Sequence, residues 1–344
     1  AIGGAIAGAL AEDGYEVFAL GRRADKLAEL AAAATAEGKS ASADIDLLRR
    51  RLDLSESRRS EPIHFLLQSL CLWDFHVLAT LERWQLDAGR RVRGWLVALG
   101  ELEALAALAG LAHDESDWTF PAIEEGVPPR LVATALGHPL IASDSRVAND
   151  LQIGPPGTFL LVTGSNMSGK STLLRAIATN VALAQAGGPS CAREMSLPPL
   201  DLGTSLSVED SLADGVSFFL AELKRLRAIV DAAESAQGSG RTLLFLLDEI
   251  LRGTNSAERR IAVREVLLRL LNLDAIGAIS SHDLALAEVP ELLEALVPVH
   301  FRESFEGEGS ERRMTFDYRL RPGVAPTTNA LVLLEMVGLG AARA

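Results

Sequence analysis

Residues Gly164-Ser165-Asn166-Met167-Ser168-Gly169-Lys170-Ser171 spell a complete G-x-x-x-x-G-K-[ST] loop. The loop falls between an apolar strand-like run, Thr158 to Thr163, and a helix-like run, Thr172 to Ala178. Few local patterns constrain a fold as tightly, because the loop belongs to a buried strand, a glycine-rich turn and a helix that starts at the turn. The glycines let backbone N–H groups close around phosphate oxygens, and the helix N-terminus adds a field that favours anions. Lys170 is then placed to reach the outer phosphates, and the Ser171 hydroxyl to hold Mg²⁺. A nucleoside triphosphate is the expected ligand.

Two later stretches complete that chemistry. Leu243-Leu-Phe-Leu-Leu-Asp248-Glu249 is an apolar strand ending in two acids, the Walker B arrangement. There Asp248 is expected to hold Mg²⁺, and Glu249 to orient or deprotonate an attacking water. Ala275 to Ser281 is another short apolar run, and His282 follows it. Catalytic groups of such sheets gather at the carboxyl ends of the strands, so His282 is a candidate to touch the γ-phosphate or the water. Between the loop and these stretches lies Ser217, which opens a helix-like run and reads most simply as an N-cap. Across a subunit boundary the same helix start would complete a partner's phosphate site.

The 344 residues allow two or three domains. Segment 126–344 alternates strand-like and helix-like runs, the pattern of an α/β domain with a mostly parallel sheet. Segment 46–125 reads as helical, with Trp73, Trp84 and Trp95 spaced every eleven residues, three helical turns apart. They would share one packing face if the helix ran unbroken. Nine arginines stand against seven acids over 46–95, most simply a solvated face. The chain's net charge of −13 argues against broad, non-specific coating of DNA. Glu101 and Glu103 interrupt the longest apolar stretch, so no membrane span is expected. Two distant cysteines, Cys71 and Cys191, imply neither a disulfide framework nor zinc, and fit a reducing, cytoplasmic compartment.

Residues 1–45 differ in character. Gly3, Gly4 and Gly8, the strand-like Tyr15 to Leu20 and the pair Arg22-Arg23 resemble the opening of a short-chain dehydrogenase/reductase. That resemblance implies a dinucleotide site with Asp44 near the adenine. The strand that leads into the glycine turn and a Tyr-x-x-x-Lys pair are missing, so a partial, non-functional Rossmann-like fragment is expected. The chain opens without methionine, as a truncated or spliced start would.

Thr163 to Thr172, Ser217-Phe-Phe-Leu-Ala-Glu222 and Asp248-Glu-Ile-Leu-Arg-Gly-Thr-Asn255 together resemble the MutS DNA mismatch-repair ATPases, a branch of the ABC-type P-loop fold. Gly137-His138-Pro139 and Arg321 to Asn329 extend the likeness, which covers about 46–340. It implies ATP and Mg²⁺ as ligands, a homodimer with two composite ATP sites, and duplex DNA, mismatched or branched, as partner. Each site would take 164–172, Asp248, Glu249 and His282 from one subunit, and Ser217 with Asn255 from the other. His138 would lie near the base, and the helical segment would serve as a core or lever. The family's Phe-x-Glu mismatch wedge has no counterpart ahead of that segment; Phe301-Arg-Glu303 matches only its letters. The alternatives are a nucleotide-switched scaffold for a protein partner and, on 1–45 alone, an oxidoreductase.

Overall fold

The computed structural model describes residues 41–56, 61–124, 128–206, 218–251, 256–306 and 313–325. Ser217, Asn255 and the glycines and arginines of the N-terminal segment lie outside these residues. The chain divides into two compact units, Ala1–Glu115 and Ser116–Ala344.

The described part of the first unit is helical: α1 (Ala41–Ser55), α2 (Glu61–Cys71), α3 (Trp73–Asp87) and α4 (Gly89–Asp114). The tryptophans do not share one continuous helix. Leu72 adopts a left-handed conformation between α2 and α3, and Ala88 separates α3 from α4, leaving Trp95 on a different helix from Trp73 and Trp84. The indole N–H groups of Trp84 and Trp73 instead donate to the Asp44 and Leu54 carbonyls, at 2.7 and 3.3 Å, tying α3 to α1. Asp44 itself is a helical residue, buried, with its carboxylate 2.9 Å from the Arg91 guanidinium. Its helical place and this ion pair hold α1 against α4. Arg91 also lies over the Trp95 ring, and Arg51 donates to the Thr80 carbonyl, so part of the arginine cluster packs this unit internally.

The apolar stretch around Glu101 and Glu103 forms one continuous helix. Gly94, Gly100 and Gly110 do not break α4, and over its most apolar eighteen-residue window the mean hydropathy is 1.6. Two glutamates are too few to offset that much leucine and alanine. Among the described residues, α4 is the one unbroken helix long and apolar enough to cross a membrane by length and composition. Helices that pack against other protein pass the same test, so this assigns no membrane role.

The second unit is built on a six-stranded sheet in the order β12-β9-β4-β8-β7-β6. Its strands are β4 (Phe159–Thr163), β6 (Leu200–Ser205), β7 (Thr242–Asp248), β8 (Ile276–Ser280), β9 (Leu296–His300) and β12 (Arg321–Pro322). The pairs β4·β8, β4·β9, β7·β8 and β6·β7 are parallel, and β12 runs antiparallel to β9. Every residue of β4 and β8 is buried, which is why these strands read as unbroken apolar runs rather than alternating ones. Successive side chains still point to opposite faces. Leu160, Val162, Leu244, Leu246 and Ala278 join the core under α5 (Lys170–Ala186). Phe159, Leu161, Phe245, Leu247 and Ile279 join the other core, under α6 (Phe218–Ala236) and α7 (Ser256–Asn272).

A second sheet, β1-β5-β2-β3, comprises β1 (Ala122–Ile123), β2 (Leu131–Leu136), β3 (Asn149–Ile153) and β5 (Glu194–Leu197). Strand β1 pairs in parallel with β5. Strands β10 (Glu303–Glu306) and β11 (Arg313–Phe316) form an antiparallel pair.

Gly277 on β8 is fixed by packing. A Cβ there would collide with the carbonyl oxygen and ring of Phe245 on the neighbouring β7. Because buried strands have no room to retreat, Gly277→Ala is expected to lower unfolding stability by about 1–3 kcal/mol, read from denaturant midpoints.

Candidate functional site

Register brings the sequence candidates to one edge. Val162 of β4 pairs with Ser280 of β8, and Ser280 with Asp248 of β7, so three strand ends stand in line. The loop 164–169 leaves the first of these ends, Glu249 the third, and His282 the second. Sheets of this kind present their ligands at the carboxyl ends of the strands.

Gly164 makes the loop possible. Its φ is +139°, and a Cβ would sit 2.9 Å from both the Phe301 carbonyl oxygen and Ser168 Oγ. Phe301 is therefore a buried floor to the loop, and Glu303 accepts a hydrogen bond from Ser165 Oγ at 3.1 Å. These contacts remove Phe301-Arg-Glu303 from consideration as a DNA wedge. Met167 takes a positive φ of 65° and is 85% exposed at the loop's crest. Ser168 Oγ is buried without a hydrogen-bond partner, a polar group waiting for an oxygen.

Lys170 opens α5 and is buried. Its ammonium donates to the Gly164 and Ser165 carbonyls, both at 2.9 Å, and lies 3.5 Å from Glu249 Oε1. Glu249 Oε1 is also 2.5 Å from His282 Nε2. With 7% of its side chain exposed, the carboxylate depends on such partners. Glu249 adopts a positive φ of 47° and Leu251 one of 60°, costing on the order of 1–3 kcal/mol each. Side chains from elsewhere hold that turn: Ser280 Oγ accepts from the Glu249 N–H at 3.1 Å, and Glu222 Oε1 accepts from the Leu251 N–H at 2.7 Å. The Ser280 hydroxyl in turn donates to Asp248.

A cavity of about 490 Å³ runs from Asn166–Thr172 and Glu249 to His138, Arg146 and Tyr318. His138 reaches it because Asn180 on α5 donates to the Gly137 carbonyl at 2.9 Å and accepts from the Cys191 N–H at 2.6 Å. Asn149 grips the Tyr318 loop, donating to the Tyr318 carbonyl at 3.0 Å and accepting from the Leu320 N–H at 2.7 Å. Arg146 stacks over Trp118 with 5.5 Å to the ring centroid.

Gly164 and Ser165 sit at the root of the loop and His282 lies beyond Glu249, outside this cavity's lining; Asp248 stands behind Ser280. The sequence pointed to neither Ser280 nor Tyr318 nor Arg146. For Mg²⁺ the chain offers the Ser171 hydroxyl and Asp248. Among the described residues no cluster of three or more His, Cys, Asp or Glu side chains would cage a metal. That donor set suits an ion that keeps waters and shares phosphate oxygens.

Residues 160–342 match the family described as MutS domain V. The chain is 32% identical over 258 residues to the DNA mismatch repair protein MSH6 of Arabidopsis thaliana, covering 70% of this chain and 19% of that protein. It is 30% identical over 259 residues to the DNA mismatch repair protein MutS of Natronomonas pharaonis, 73% of this chain and 28% of that one. Against MutS of Shouchella clausii the figures are 31% over 280 residues, 76% and 30%. The chain thus spans between a fifth and a third of the length of these curated relatives.

The His138 imidazole is held below its ordinary value of 6.5, first by burial and then by the charges of Arg175 and Arg146. It is therefore neutral at pH 7. In an NMR titration its midpoint is expected below 6.5 and is expected to rise in Arg175→Gln, since one of the two repelling charges is removed.

Proposed function

The chain belongs to the MutS family, and from that premise we propose that it binds and hydrolyses ATP on an ABC-type P-loop unit that acts on DNA. The observation that carries the proposal is the convergence of Lys170, Glu249 and His282 at the sheet edge, with Lys170 3.5 Å and His282 2.5 Å from one carboxylate oxygen.

In this scheme the N–H groups of Gly164 to Thr172 surround the phosphates, and Lys170 exchanges its loop carbonyls for phosphate oxygens. Such charge-assisted bonds are stronger than those to neutral carbonyls. The base lies toward His138 and Tyr318, where a neutral imidazole and an aromatic ring offer apolar faces. Glu249 orients the attacking water and takes up its proton, while His282, bonded to that carboxylate, steadies it and faces the terminal phosphate. Ser171 and Asp248 would hold Mg²⁺, which when bound neutralises charge on the phosphate oxygens. Ser280 fixes Asp248 and the backbone of Glu249 together, so the two acids keep one geometry.

A second copy would close the site with Ser217 and Asn255, and the ATP-bound dimer would act as a clamp on mismatched or branched duplex. Hydrolysis would reset the clamp. A cytoplasmic setting is part of the same proposal.

Lys170→Ala is expected to abolish ATP binding in a fluorescent-nucleotide titration; retained micromolar affinity would remove the loop from the scheme. Glu249→Gln is expected to bind ATP but turn over at least about 100-fold more slowly, as loss of a positioned base predicts. Measured alongside it, wild-type turnover should change severalfold with mismatched or branched duplex. Turnover indifferent to every DNA would favour a protein partner instead.

A further inference from the structure

Beside the nucleotide cavity lies another, of about 580 Å³, and the two share Asn166 and Glu249 in their walls. Its remaining lining includes Arg259, Arg260, Ser281, His282 and Asp283. We infer that this cavity is a binding site for inorganic phosphate, the product of hydrolysis, with Arg259 as its anion-binding group. The inference rests on the proposed ATPase function.

Charge bookkeeping within the cavity singles out Arg259. Asp283 Oδ2 is 3.2 Å from Arg260 Nε, and its Oδ1 accepts from the Ala285 N–H at 3.1 Å. Glu249, the other carboxylate in the lining, already has Lys170 and His282. Arg259 makes no ion pair among the described residues, and its Nε is buried without a hydrogen-bond partner. A guanidinium that lines a cavity without an ion pair is matched by an oxyanion with several acceptor atoms. Arg259 also stands in the first turn of α7, which starts at Ser256, where the helix field favours a negative charge. Ser281 and His282 place a hydroxyl and an imidazole in the same wall.

Position gives the ligand its identity. The attacked phosphorus must lie near Glu249 for that carboxylate to serve the water. Glu249 also faces the second cavity, so the released phosphate meets this arginine without recrossing the nucleotide. A carboxylate from another copy of the chain would also suit a guanidinium, and the test separates the two.

Inorganic phosphate is titrated calorimetrically into the full chain saturated with Mg·ADP. Wild type should bind it, Arg259→Ala should bind it at least about tenfold more weakly, and Arg259→Lys should fall between, as loss of a charge-assisted bond implies. Affinity for a non-hydrolysable ATP analogue should stay within about twofold in all three. Should Arg259→Ala not fold, Arg259→Gln takes its place against Arg259→Lys. Equal phosphate affinity in wild type and the neutral variant overturns the inference while leaving ATP binding intact. So does an unchanged phosphate affinity accompanied by weaker ATP-driven dimerisation, which would give the arginine to a partner carboxylate. Failure of the wild type to bind nucleotide at all overturns the ATPase function, and this site with it.

Discussion

A carboxylate with 7% of its side chain exposed cannot carry charge unless neighbours compensate it, and Glu249 is such a group. Its compensation comes from two separate segments: the ammonium that starts α5 and the imidazole that follows β8. Each is delivered only if β4, β8 and β7 pair in the observed register. A one-residue slip would turn every side chain of a strand to the other face and carry the following loop with it. The two cores therefore do more than stabilise the sheet. By burying both faces of β4, β7 and β8 they make any other register expensive. The edge where the acids sit inherits that rigidity.

Strain at the same edge has the same logic. Left-handed backbone at Glu249 and Leu251 is disfavoured for side-chain-bearing residues and persists only where surrounding contacts outweigh it. Glu222 and Ser280 supply those contacts, one from α6 and one from β8. The consequence is a Glu249 carboxylate held toward Lys170 and His282 instead of turning to solvent, an alignment that an unsupported turn would lose to side-chain entropy. Preorganisation of this kind is what a group acting on a water requires.

How much was legible in the sequence follows from how local each signal is. The phosphate loop, the apolar runs and the acids at a strand end are all contiguous patterns, and the structure brings Lys170, Glu249 and His282 together. Trp73, Trp84 and Trp95 keep their spacing without sharing one helix, because periodicity says nothing about where a helix stops and Ala88 lies between α3 and α4. Glu101 and Glu103 interrupt the apolar run without interrupting the helix α4. Ser280 was invisible because its bond to Asp248 spans 32 positions and a serine ending a buried strand has no distinctive neighbourhood. Tyr318 is tied to Asn149 across 169 positions, beyond any local pattern. Asp44, near an adenine only by the dehydrogenase likeness, sits in a helix as a packing acid for Arg91.

The net charge of −13 bears on how the chain behaves in solution, not on what its clefts attract. The cavity beside the loop has Arg146 and Lys170 in its wall against Glu249. The pKa of the His138 imidazole is lowered first by burial and then by the charges of Arg175 and Arg146. Lys170 lies at one end of that cavity and Arg259 lines the next. A chain of net negative charge repels polyanions broadly, so a phosphate group is favoured only beside a guanidinium or ammonium. For the DNA contact proposed above, a net charge of −13 means that binding would rest on local groups of Lys and Arg.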